Sequence, residues 1–95
     1  MNYNIVLFKI NFERDFGEIL NHLQDVAEKA LPKKEFNEYL RKSCADMGEC
    51  DAMDGILING YYFDWKEFNS KKVEIVTAWL SYFNEKQLIK IAQAL

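Results

Sequence analysis

Two thiols and one imidazole are the side chains of this 95-residue chain best suited to anchor a zinc site or act as strong nucleophiles. Cys44 and Cys50 have five residues between them, which is outside the C-x-x-C spacing of redox and zinc sites. His22 is the single histidine, so no tetrahedral zinc set can be completed. A nucleophilic Cys/His pair requires an exposed, activated thiol. Cys44 instead falls on an apolar helical stripe, which predicts a buried thiol, and both cysteines are expected to remain reduced. These residues predict no metal and no cofactor.

The acidic run Glu49, Asp51 and Asp54 precedes Gly55 and invites comparison with a calcium loop. Placing Gly55 at the sixth position puts Cys50 and Ala52 where the first two ligands belong and Tyr61 where a bidentate Glu is required. Anchoring on Gly60 puts Lys66 in the Glu position. Neither register supplies a calcium site. The Gly-rich phosphate loops, the G-x-S-x-G nucleophile elbow and the H-E-x-x-H zinc helix are also absent from the sequence. The basic pairs Lys33/Lys34, Arg41/Lys42 and Lys71/Lys72 are interleaved with Glu35, Glu38 and Glu74, the pattern of a solvated helix face. With a net charge of −3, direct nucleic-acid binding is not expected.

The most unusual local feature is the aromatic group Tyr61, Tyr62, Phe63, Trp65 and Phe68. Strand alternation would turn Tyr61, Phe63 and Trp65 towards a core and leave Tyr62 outward with Asp64. Glu67 and the loop carboxylates Glu49, Asp51 and Asp54 feed the same hairpin. A tyrosine set among carboxylates suits a protein interface with a basic partner, and these six residues form the predicted partner-binding surface.

The elements that must position this surface can be read from periodicity. Residues 3–12 alternate, with Val6, Phe8, Ile10 and Phe12 on one side, which predicts a strand. Asp15 and Glu18 have capping-box spacing, and Phe16, Ile19, Leu20, Leu23, Val26, Ala27 and Ala30 form the stripe of a first helix. Pro32 predicts a bend at Leu31. A second helix over 33–47 would bury Phe36, Leu40, Cys44 and Met47, pair Glu38 with Lys42, and end at Gly48. Ile56-Leu57-Ile58, Asn59-Gly60 and Tyr61-Tyr62-Phe63 spell a two-residue hairpin with a type I′ turn. Val73, Val76, Trp79, Leu80 and Phe83 carry a third helix, and Asn84 with Gln87 caps a fourth. The expected fold is α+β in the order β-α-α-β-β-α-α. A three-stranded antiparallel sheet, the N-terminal strand plus the hairpin, would pack against four helices in a single domain spanning 1–95.

Hydrophobic residues make up 49% and charged residues 28%, enough apolar surface to support a folded core. The longest stretch without charge, Ile75 to Asn84, is far shorter than the roughly 18 residues a membrane span needs. The N-terminus lacks a signal-peptide pattern, so a cytoplasmic location is expected. Residues 49–69 carry five acidic groups against one basic, so the negative charge is concentrated in the middle of the chain. This distribution predicts a non-catalytic acidic module that neutralises a basic partner protein. An immunity protein or antitoxin against a nuclease toxin, or a phage-encoded inhibitor of host defence, would have that design, because a nuclease must present positive charge to its substrate. The alternatives are an accessory subunit that forms a homodimer through the hairpin edge, and an enzyme with a carboxylate or thiol site of another kind.

Overall fold

The computed structural model describes residues 2–49 and 54–95, with the backbone alone described over 47–49. Among the described residues, five α-helices and one hairpin follow in the order α1 (Asn4–Leu7), α2 (Phe16–Ala30), α3 (Lys33–Glu49), β1 (Gly55–Ile58), β2 (Tyr61–Asp64), α4 (Lys72–Leu80) and α5 (Glu85–Ala94). A 3-10 turn, Trp65–Glu67, follows β2 directly.

The N-terminal strand predicted for 3–12 does not form, and the sheet has two strands rather than three. Residues 4–7 are helical, with the amides of Val6 and Leu7 both donating to the Tyr3 carbonyl. The run Ile5-Val6-Leu7-Phe8 is apolar at every position, so it satisfies a helical and a strand period equally. Two asparagines close local turns at either end of the segment. Asn2 Oδ1 accepts from the Asn4 amide at 3.1 Å, and Asn11 Oδ1 accepts from the Glu13 amide at 3.0 Å. Val6 is completely buried while Phe8, on the same face of the predicted strand, is 86% exposed. Lys9 then ties the segment to α5 by donating from Nζ to the Ala92 carbonyl at 2.7 Å.

α2 forms as its stripe requires, burying Phe16, Ile19, Leu23, Val26 and Ala27. Asp15 caps it by accepting from the Gly17 amide, whereas Glu18 pairs with Arg14 instead of completing a capping box. Leu31 is extended ahead of Pro32 and buried. α3 runs through Gly48 to Glu49. It buries Phe36 and Tyr39, but Cys44 is exposed, contrary to the predicted stripe. Each four-residue step overshoots a helical turn by about 40°, so Phe36, Leu40 and Cys44 drift off one face, and Tyr39 takes the core position. Glu38 lies beside Arg41 at 4.0 Å rather than pairing with Lys42.

α4 buries Ile75, Val76, Ala78, Trp79 and Leu80, leaving Val73 exposed. α5 starts with the predicted capping box: Asn84 and Gln87 exchange side-chain to amide bonds at 2.9 Å each way. Trp79 stands edge-on to Tyr39 and Phe83 and donates from Nε1 to Tyr39 Oη at 2.7 Å. Tyr39 Oη in turn donates to Gln24 Oε1 at 3.1 Å. Among the described residues, no helix is long and apolar enough to cross a membrane.

Candidate protein-binding surface on the hairpin

Asn59 and Gly60 both take positive φ, 48° and 87°, as a type I′ turn demands. The resulting register pairs Gly55 with Asp64, Ile56 with Phe63, Leu57 with Tyr62 and Ile58 with Tyr61. A Cβ at Gly55 would stand 2.1 Å from the Phe63 carbonyl oxygen and 2.8 Å from the Tyr62 ring, so only glycine lets the strands close at that pair. Asp54 extends the ladder beyond Gly55, its carbonyl accepting from the Trp65 amide at 3.0 Å.

Three contacts hold the hairpin tip to the helices. The Asn59 amide is shared between Asp46 Oδ2 and Tyr82 Oη, at 2.9 Å from each, and Tyr82 Oη itself donates to Asp46 Oδ2. Asn59 Nδ2 donates to Ser81 Oγ at 2.8 Å. Burial, then the hydrogen bond to Asp46, pushes the Tyr82 hydroxyl well above the ordinary tyrosine range, so it remains a donor.

The register brings Asp54, Tyr62, Asp64, Trp65 and Glu67 together at the open end of the hairpin. Their carboxylates are not equivalent. Asp64 Oδ1 accepts from the Lys66 amide at 2.9 Å and Glu67 Oε1 accepts from the Asp64 amide at 3.1 Å, a capping box around the 3-10 turn. Glu67 also lies 2.5 Å from Lys71 Nζ. The Lys71 bond, followed by the Asp64 amide, lowers the Glu67 carboxyl below its usual range, and Glu67 raises the Lys71 ammonium. Asp54 is exposed and its carboxylate makes no ion pair or hydrogen bond among the described residues. Glu49 ends α3, its side chain beyond the described atoms, and Asp51 lies outside the described residues.

Two aromatics predicted for the core are at the surface. Tyr61 is 59% and Trp65 57% exposed; Phe63 alone of the three is buried. Tyr62 is 46% exposed, its ring against Gly55 on the opposite side of the hairpin. Trp65 packs on Phe68 with ring centres 4.6 Å apart, and Phe68 packs on Phe16, which fixes the indole without covering it. Sequence alternation missed Trp65 because the strand ends at Asp64 and the 3-10 turn rotates the next side chain away. The Asp64/Glu67 spacing, which matches a capping box, was the signal for that turn.

His22 is exposed on α2 and lines a hollow of about 130 Å³ with Lys9 and Arg14, both engaged elsewhere. Among the described residues no group of three or more His, Cys, Asp or Glu side chains is placed to hold a metal ion. A hollow of about 460 Å³ along α3 is lined by Lys34, Asn37, Glu38 and Arg41, all exposed on one helix, so it lacks a second wall. Comparisons with protein-family models, curated proteins and solved structures give no significant match.

Proposed function

We propose that this protein is a small acidic binding module that docks a basic partner protein through its hairpin, and that it acts by covering the partner's working surface. The observation that carries this reading is the exposure of Tyr61, Tyr62 and Trp65 within five consecutive residues, with the carboxylate of Asp54, unpaired among the described residues, next to Trp65 at the open end of the hairpin. Aromatic side chains held rigid at the surface are the residues that most often supply binding energy at interfaces, and charges at their rim set rate and partner choice. An inhibitor of a nucleic-acid-processing protein, such as an immunity protein, an antitoxin or a phage-encoded inhibitor of host defence, fits this composition. The acidic rim would meet the positive surface that such a partner presents to phosphates.

The test is affinity recovery from the source cells with three baits: the wild type, Tyr61→Ala/Trp65→Ala, and Phe8→Ala as a control for a lone exposed aromatic. The expected outcome is a basic protein retained by the wild type and by Phe8→Ala, and lost by the hairpin double variant. Retention by all three baits, or a concentration-dependent homodimer with no foreign protein, would overturn the reading.

A further inference from the structure

The hairpin and α4 enclose a groove of about 410 Å³, within the roughly 300 to 1,000 Å³ of ligand-sized pockets. Phe63 and Ala78 form its buried floor, and Tyr61 and Val73 its half-exposed walls. Four hydroxyls line the groove; those of Thr77 and Ser81 are satisfied within the fold, and those of Tyr3 and Tyr61 make no hydrogen bond among the described residues. Thr77 Oγ1 donates to the Val73 carbonyl at 2.7 Å, and Ser81 Oγ donates to the Ala78 carbonyl while accepting from Asn59 Nδ2. The groove therefore offers mostly apolar surface, with the Tyr3 and Tyr61 hydroxyls at its wall left for solvent or an occupant.

Glu74 is the one charged residue among those that line the groove. It borders the groove with an exposed carboxylate that makes no ion pair or hydrogen bond among the described residues, although its charge acts at a distance on Lys71. The nearby cations are committed: Lys71 to Glu67, and Lys72 Nζ to the carbonyls of Phe12 and Arg14 at 3.2 and 2.8 Å. An apolar slot beside a free carboxylate is complementary to an apolar side chain next to a cation.

We infer that this groove receives a segment of the partner protein in which a large apolar residue stands beside a Lys or Arg, the apolar side chain filling the slot and the cation meeting Glu74. This rests on the binding-module reading and names what the module recognises.

The probe is a displayed library of random dodecapeptides panned against the immobilised protein, with the selected peptides then titrated by fluorescence polarisation. The expected consensus is a Leu, Ile, Met or Phe within two positions of Lys or Arg. Binding should weaken at least tenfold with Val73→Arg and with Glu74→Lys, both exposed positions where folding is preserved. Amide chemical shifts should move at residues 73–78 and at Tyr61. A consensus with acidic residues, no enrichment, or peptides indifferent to both variants would overturn the inference. So would a wild-type dimer dispersed by Val73→Arg, which would make a second copy the occupant. If the partner is lost by Tyr61→Ala/Trp65→Ala but held fully by Val73→Arg and Glu74→Lys, the groove inference fails while the module reading stands.

Discussion

Replacing Asp46 by Ala should loosen the hairpin that carries the proposed surface, without unfolding the chain. A two-stranded hairpin is marginally stable by itself, so β1 and β2 depend on what grips them. Asp46 Oδ2 receives both the Asn59 amide and the Tyr82 hydroxyl, and after Asp46→Ala the Asn59 amide keeps its bond to Tyr82 Oη and the Asn59 side chain its contact to Ser81. Hydrogen bonds to a charged group contribute about 1.5 to 3 kcal/mol each when buried. Asp46 is half-buried and water can replace part of what is lost, so the pair together should stabilise the tip by about 1 to 2 kcal/mol. Amide hydrogen exchange reads this directly, because about 1.4 kcal/mol of local opening free energy is tenfold in rate. Exchange should accelerate roughly five- to thirtyfold at Asn59, Tyr61 and Phe63, with the interior amides of α2 and α5 much less affected. Tyr82→Phe removes the donor to Asp46 and one of the two acceptors of the Asn59 amide but leaves the charged acceptor in place, and should produce a smaller effect at the same amides. Unchanged hairpin protection in Asp46→Ala would show that this network does not hold the tip. Equal acceleration over the whole chain would show that hairpin and helices open as one unit.

Trp79→Ala should destabilise the fold by about 3 to 5 kcal/mol in urea titration, since the indole is 2% exposed and its loss empties the space between Tyr39 and Phe83; a loss under about 1 kcal/mol would contradict that packing. Gly55→Ala should cost at least about 1 to 3 kcal/mol, because its methyl would meet the Phe63 carbonyl, and an unchanged denaturation midpoint would refute the closeness of that pair. Tyr39 and Tyr82 are both held above the ordinary tyrosine value, Tyr39 chiefly by burial. Their protonated forms therefore favour the folded state, fully below the unfolded value of 10.0 and progressively less as pH rises above it. Stability measured between pH 9 and 11 should fall less steeply in Tyr39→Phe/Tyr82→Phe than in the wild type, and equal slopes would exclude both groups as the source.

Elements with a single dominant local signal were legible in the sequence. The stripe of α2, the Leu31-Pro32 bend, the Asn59-Gly60 turn and the Asn84/Gln87 cap each rest on residues within a few positions of one another. The N-terminal segment was misread because Ile5 to Phe8 suits either period, and what distinguishes the two is the packing of α1 on α5 and the bond from Lys9 to Ala92, more than eighty residues away. The exposure of Cys44 follows from a helix that turns past its four-residue spacing, with Tyr39 held inward by Trp79. In the candidate surface, sequence identified the acidic segment but could not separate its roles. Asp64 and Glu67 serve the cap of the 3-10 turn, while the Asp54 carboxylate is unpaired among the described residues; Glu74, read from sequence as part of a solvated helix face, borders the groove. The Asp46-Tyr82-Asn59 network was invisible, since it joins three segments with no spacing rule between them.

The central claim, recognition of a basic partner by the acidic hairpin, is tested most directly by the association rate with the recovered partner as a function of salt. Asp51→Lys/Asp54→Lys should slow association at least about tenfold at low ionic strength, and the deficit should shrink as salt screens the rim charges. Asp25→Lys/Glu28→Lys, the same change in net charge on the exposed face of α2, should have a much smaller effect. Equal slowing by both pairs would mean that net charge alone governs the encounter, and no slowing by either would contradict the claim.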